Sequence, residues 1–137
     1  MARATKSAPA KKIKLPRFRS KARDAAIPII MHEDNGTVYL DPKPGDETAR
    51  VDRRLYLVVV NLTGEKRAVR VVFEISLDGS GTQAYDFKVK PLECDHLKIH
   101  IDKDFFKDLP DDVKTLPVRY FIWVGNTLID PDLKIQR

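Results

Sequence analysis

The sequence predicts an all-β fold, an antiparallel β-sandwich of about seven or eight strands. Apolar and polar residues alternate in several short segments, and turn-forming residues separate these segments at intervals of roughly ten residues. Both patterns begin near residue 27 and continue to the C-terminus. The residues before that point are rich in Lys, Arg, Ala and Pro. We therefore divide the chain into an extended basic N-terminal arm, residues 1–26, and a sandwich domain, residues 27–137.

The first third of the domain contains three predicted strands. Residues 27–32 are apolar but include Pro28, which favours the edge of a sheet because proline has no backbone N–H to donate. An Asn-Gly pair predicts a turn before a second strand at 37–40, and two prolines with a glycine predict a loop over 41–46. The next strand, 54–62, contains six consecutive apolar residues. Such a run is typical of a buried central strand.

Alternation is clearest in the middle of the domain. Odd-numbered positions from 69 to 77 are apolar, which predicts a strand with one face on the core. Two glycines within 78–81 predict a tight hairpin turn, because glycine accepts positive φ without steric cost. The same alternation then predicts strands at 85–90 and 96–101. In the strand predicted at 69–77, the residues that we assign to the core face are Val69, Val71, Phe73, Ile75 and Leu77.

The last third of the domain begins with one predicted helical turn, residues 103–109, ahead of a proline. Residues 118–124 then form a second apolar run, and their alternation separates Tyr120 and Ile122 from Phe121 and Trp123. Either pair could lie on the outer face of the sandwich. A Gly-Asn turn leads to the final strand, 127–136, which is predicted to kink at a proline.

Two short motifs extend this prediction to a particular type of sandwich. A strand ends in Val60-Asn61-Leu62-Thr63-Gly64, and Pro91-Leu92-Glu93 follows after two alternating strands. In this arrangement residues 55–102 resemble bacterial immunoglobulin-like modules. The resemblance implies an immunoglobulin-like fold and nothing about function, since one sandwich architecture serves many functions.

The charge of the chain is divided unequally between its two parts. Residues 1–24 contain nine cations and one acid, a net charge of +8. The remaining 113 residues contain 16 cations and 19 acids, a net charge of −3. The high pI of about 9.3 therefore comes from the arm. Segments of like charge with this composition are commonly disordered when free and often act as interaction tails.

The second half of the arm mixes cations with apolar side chains, which is typical of a segment that binds a groove or an anionic surface. A solvated tail that contacts nothing is the alternative. We take the partner-binding residues to be Lys11, Lys12, Ile13, Lys14, Leu15, Arg17, Phe18, Arg19, Lys21 and Arg23.

Two residue clusters in the domain have the composition of metal sites but not the spacing. Cys94, His96 and His100 fall on one face of a predicted strand, without the close ligand pairs of zinc sites. The acids of residues 102–112 lack the glycine of a calcium loop, so we expect them to cap turns. They could also receive the basic arm of a neighbouring copy. We expect no metal and no cofactor.

Enzyme chemistry is not indicated by any motif. The chain has no nucleophile elbow, no glycine-rich loop before a helix and no paired-histidine zinc motif, so we predict that the protein is not an enzyme. Two sites match the N-glycosylation pattern, at Asn35 and Asn61. They are expected to be chance matches, because the basic N-terminus lacks the hydrophobic stretch of a signal peptide. The expected location is a virion or the cytoplasm, and no membrane partner is expected.

These observations favour a structural protein that is anchored to a larger protein assembly by its arm. The assembly could consist of capsid subunits or of further copies of this chain, and the most concrete example is a phage capsid decoration protein or minor head protein. The alternative is a sequence-nonspecific nucleic-acid-binding protein or ribonucleoprotein component, in which the arm neutralises phosphates.

Overall fold

The computed structural model describes residues 23–137, which form ten β-strands in two stacked sheets. The predicted β-sandwich is confirmed. The strands are β1 (Ala25–Asp34), β2 (Thr37–Leu40), β3 (Glu47–Arg50), β4 (Arg54–Asn61), β5 (Arg67–Phe73), β6 (Ala84–Val89), β7 (Cys94–His100), β8 (Thr115–Val124), β9 (Thr127–Ile129) and β10 (Asp132–Gln136). No helix in this part of the chain is long and apolar enough to cross a membrane.

Each sheet contains one parallel pair, so the expectation of purely antiparallel sheets is corrected. The first sheet has the order β2-β1-β4-β7, in which β1 and β4 are parallel. The second has the order β3-β10-β8-β5-β6, in which β3 and β10 are parallel, and β9 pairs with β8. Parallel neighbours need a crossover connection. The chain between β1 and β4 contains β2, which belongs to the first sheet, and β3, which belongs to the second sheet.

The structure has two more strands than the sequence pattern predicts. No apolar pattern predicts a strand at 47–50, yet these residues pair with the C-terminal strand as β3. The predicted single strand 127–136 is divided into β9 and β10, which flank Pro131. Strand β1 begins at Ala25, two residues before the predicted start of the domain. Pro28 does lie at a local edge, since β2 pairs only with the second half of β1.

Two further local predictions differ from the structure. Strand β5 ends at Phe73, so Ile75 lies in the connection to β6 and is 38% exposed, whereas Leu77 returns to the core at 1%. The segment 103–109 contains no helix. It forms successive turns instead, with backbone hydrogen bonds such as Leu109 N to Phe106 O at 3.0 Å.

The core lies between the two sheets and follows the period-two pattern. From the first sheet, Ile27, Ile29, Leu55 and Leu57 are fully buried, and they pack against the inner face of the second sheet. There Phe73 of β5 and Tyr120 of β8 stack with their ring centroids 5.2 Å apart. Alternate residues of one strand therefore supply the core, as the sequence pattern predicts.

Tyr120 carries a polar group into this core. Its side chain is fully buried, and the Oη atom has no hydrogen-bond partner among the described residues. Burial raises the pKa of the Tyr120 phenol well above its ordinary value, and the nearby Glu47 and Asp132 carboxylates raise it further. A buried hydroxyl without a partner costs free energy, so the aromatic ring rather than the hydroxyl is what stabilises the core.

We predict that Tyr120→Phe raises the free energy of unfolding by about 1 kcal/mol at neutral pH, because it removes the uncompensated hydroxyl. The advantage should grow above pH ~10, where tyrosine in the unfolded chain loses its proton while folded Tyr120 retains it. Urea unfolding at several pH values measures both effects. Tyr39→Phe is the matched control, since Tyr39 is 43% exposed. Destabilisation by Tyr120→Phe would mean that the hydroxyl has a partner.

Candidate interaction surfaces

Of the ten arm residues predicted to bind a partner, nine precede residue 23 and lie outside the described residues; these are Lys11, Lys12, Ile13, Lys14, Leu15, Arg17, Phe18, Arg19 and Lys21. The tenth, Arg23, is exposed and occupies a turn with φ of 73°. Next to it, the Oδ1 atom of Asp24 accepts a hydrogen bond from the backbone N of Arg54 at 3.0 Å. The arm therefore joins the body beside the first strand of the first sheet.

Cys94, His96 and His100 do share one face of β7, as predicted, but they do not converge. They pair with Val60, Val58 and Arg54 along the neighbouring strand β4. The first and last of the three are six residues apart, which corresponds to roughly 20 Å along a strand. Within residues 23–137 no group of three or more His, Cys, Asp or Glu side chains could hold a metal ion.

The environment of Cys94 disfavours nucleophilic chemistry. Burial raises the pKa of its thiol, and the carboxylates of Asp95 and Glu93 raise it further. Reactive cysteines instead have a lowered pKa from nearby cations or a helix N-terminus. His100 does face a carboxylate, with Nε2 3.2 Å from Asp52 Oδ1, but both side chains are more than half exposed. This pair is a surface contact on the opposite end of β7 from the thiol.

The outer face of the first sheet is unusually apolar. Pro28 and Ile30 of β1 lie beside Tyr56, Val58 and Val60 of β4 on this face. Tyr56 is only 2% exposed and Val60 only 8%, although both point away from the core between the sheets. Sandwich sheets normally alternate, with polar residues on the outer face. The signal in the sequence was the unbroken apolar run of β4, which we interpreted only as central.

The outer face of the second sheet carries exposed aromatic and basic side chains. Tyr120 and Ile122 of β8 are fully buried, while Trp123 is 42% exposed. The sequence left open which pair faces outward, and the structure places Phe121 and Trp123 on the outer face. The guanidinium carbon of Arg119, two residues before Phe121 on the same face, lies 5.2 Å from the centroid of that ring.

A groove of about 540 Å³ lies beside Trp123. We call it the Trp123 groove; its charged lining residues are Lys66, Arg67, Arg70, Asp86 and Lys88. Four cations and one acid give this lining a net charge of +3. Residues 23–137 as a whole carry 17 cations and 20 acids, a net charge of −3. The groove is therefore a local positive region on a net acidic body.

Ion pairs fix the two arginines of the groove but not the two lysines. Arg70 Nε lies 3.0 Å from Asp86 Oδ1, and Arg67 Nη2 lies 3.0 Å from Glu33 Oε2. Neither Lys66 nor Lys88 has an ion-pair partner in the described part of the chain, and both are exposed. The two ammonium groups are thus available to an anionic ligand.

Acids at the end of the domain away from the Trp123 groove act as turn residues. Asp102 Oδ1 accepts a hydrogen bond from the backbone N of Asp104 at 3.1 Å, which agrees with the predicted capping role. Asp78 accepts bonds from Ser80 N at 2.9 Å and Ser80 Oγ at 2.6 Å. These bonds and one from Ser76 lower the pKa of the Asp78 carboxyl. Both carboxylates stabilise local loop geometry.

Comparison with known proteins supports the fold and leaves the function open. No known protein family and no curated protein matches this chain. Among solved structures it is similar to the McoA multicopper oxidase from the hyperthermophile Aquifex aeolicus, with 8% sequence identity and a TM-score of 0.51. The match covers 90% of this chain but only 32% of the oxidase chain. The chain thus spans about a third of that protein's length, and the likeness concerns the β-sandwich alone.

Proposed function

We propose that this protein is a non-enzymatic structural component that docks onto a larger protein assembly through its basic N-terminal arm. The observation that carries the proposal is the partition of charge. Residues 1–22 hold eight of the 25 cations and none of the 20 acids, whereas residues 23–137 have a net charge of −3. A basic arm on an acidic body favours an arrangement in which the arm binds the assembly and the body lies on the surface of the assembly.

The apolar residues of the arm support a protein partner rather than a purely electrostatic one. Ile13, Leu15 and Phe18 alternate with cations in residues 11–19. An extended segment of this kind can add a strand to the edge of a partner's sheet, with alternate side chains in pockets. Capsid subunits or further copies of this chain would provide such edges. A phage capsid decoration protein or minor head protein is the example that fits this layout best.

Sedimentation of the protein from its native source tests the proposal. The full-length chain should sediment with a large particle of repeated protein subunits, while a variant that lacks residues 1–22 should remain in the supernatant. The variant with Lys103 and Lys107 changed to Ser is the control for loss of exposed cations outside the arm. Recovery of the full-length chain only as a free protein would contradict the proposal.

A second candidate function is sequence-nonspecific binding of nucleic acid by the arm. It is favoured by the eight cations without an acid in residues 1–22. Neutralised phosphates release counterions, so the logarithm of the affinity for duplex DNA should fall by roughly 0.9 per phosphate contact for each tenfold increase in salt.

We predict that, if this function is correct, the chain binds DNA or RNA at low salt with a steep salt dependence. Deletion of residues 1–22 should flatten this dependence. Filter binding over a salt series measures the slope. Absence of binding by the full-length chain at low salt would eliminate this candidate.

A further inference from the structure

The outer face of the second sheet combines an exposed aromatic ring with cations on neighbouring strands. Trp123 of β8 lies directly opposite Arg70 of β5 in the strand register. Lys88 follows on β6, opposite Ala68 of β5. We propose that this face, next to the Trp123 groove, binds single-stranded nucleic acid. A base stacks on the indole, and phosphates lie near Lys66 and Lys88.

Two aromatic side chains lie on the outer face of β8, and Trp123 is the more exposed of them. Phe121 and Trp123 are two residues apart on one face of β8, which places their Cα atoms roughly 7 Å apart. Sheets that bind single-stranded RNA present aromatic side chains on an exposed face in this way, and each ring stacks one base. Stacking accepts every base, because each base has a π-face, so this surface should bind with little sequence preference.

The charges around the indole favour an anionic ligand. With Glu33 and Glu65, which pair with Arg67, the charged groups at the groove are four cations and three acids, a net charge of +1 on a body of −3. Asp86 and Glu33 hold Arg70 and Arg67 in place, which leaves the two lysines to approach phosphates. A duplex offers no unstacked base to the indole, so the proposal predicts tighter binding of a single strand than of a duplex.

This inference does not rest on the proposed function, since every residue that it uses belongs to the body. The arm could attach to protein or to nucleic acid in either case. Tryptophan fluorescence separates the two contributions, because Trp123 is the only tryptophan of the chain. Its emission reports on this face alone, whatever the arm binds.

The test titrates the full-length chain with a labelled short oligothymidylate at low salt. Tryptophan emission should be quenched as the oligonucleotide binds, and Trp123→Ala should weaken binding roughly 5- to 150-fold, the effect of losing one stacked base. Trp123→Phe should retain most of the affinity. Tyr39→Ala is the matched control, because Tyr39 is 43% exposed on the other sheet and should not affect binding.

A charge-reversal pair provides an independent readout that does not alter the aromatic ring. Lys66→Glu with Lys88→Glu should weaken binding strongly, while Lys103→Glu with Lys107→Glu, exposed residues outside the groove, should have a smaller effect. Equal losses from the two pairs would overturn the proposal, as would unchanged affinity of a folded Trp123→Ala variant. Displacement of the oligonucleotide by a short polyglutamate peptide, with equal quenching, would also overturn it and assign the face to acidic peptides.

Discussion

Replacing Ile13, Leu15 and Phe18 together with Ser is expected to weaken docking to the assembly by about three orders of magnitude or more. Burial of each such apolar side chain contributes ~1.5–3 kcal/mol, and this contribution is not screened by salt. Replacing Lys6, Lys11 and Lys12 with Ser removes three exposed cations instead. Exposed ion pairs contribute only ~0–1 kcal/mol each and weaken with salt, so this variant should lose at most about 150-fold.

The two arm variants are matched in number of substitutions and in the residue introduced. Co-sedimentation with the particle over a range of protein concentrations at moderate salt gives both affinities. If the lysine variant is released while the apolar variant still sediments, attachment is electrostatic. In that case the candidate function of nucleic-acid binding would become the better explanation of the arm.

Asn61→Ala is expected to lower the free energy of unfolding by about 3 kcal/mol or more. Asn61 is fully buried at the end of β4, and its Nδ2 donates to Val89 O at 2.7 Å and Glu65 O at 2.8 Å. Its Oδ1 accepts from Thr63 N at 2.8 Å and Thr63 Oγ1 at 2.7 Å. Alanine leaves Val89 O and Thr63 N without the amide, at a cost of ~1–3 kcal/mol each, whereas Thr63 Oγ1 and Glu65 O still bond each other at 3.0 Å.

This network connects the turn after β4 to the end of β6, so its loss affects both sheets. Urea unfolding of Asn61→Ala measures the effect at neutral pH. Asn126→Ala, in the exposed turn between β8 and β9, is the control and should change stability by no more than ~0.5 kcal/mol. A loss below about 1 kcal/mol for Asn61→Ala would mean that water or a repacked neighbour replaces the amide.

The same residue illustrates what the sequence could reveal. Asn61-Leu62-Thr63 matched the glycosylation pattern, and we expected a chance match. Full burial of Asn61 agrees with that expectation for the folded chain, since no glycan could reach the amide. Its actual role, a hydrogen-bond connection between β4 and β6, depends on a strand 28 residues away. A local motif carries no information about that partner.

Strands with clear alternation were predicted well, and strands defined by distant partners were not. Alternation in 69–73 and 118–124 identified β5 and β8, because one face of each is buried. Strand β3 has no apolar pattern of its own and exists because β10 pairs with it. The parallel pairing of β1 with β4 likewise depends on how the chain crosses between the sheets.

The candidate surfaces were only partly predictable, because they also depend on residues that are distant in the sequence. Period two separated Trp123 from Tyr120, but both are aromatic, so hydrophobicity could not show which one faces outward. The register decides this, because it places Trp123 opposite the charged Arg70. The Trp123 groove combines residues from 66 to 125 with Val38 of the other sheet, a set that no single segment contains.

The most direct test of the central claim is co-sedimentation of the full-length chain with its native particle before and after nuclease treatment. Attachment of the arm to protein predicts that the chain remains with the particle after the nucleic acid has been digested, at moderate salt. It also predicts that the variant lacking residues 1–22 is absent from the particle under both conditions. Release of the full-length chain by nuclease alone would contradict the claim, because nucleic acid would then be what the arm holds.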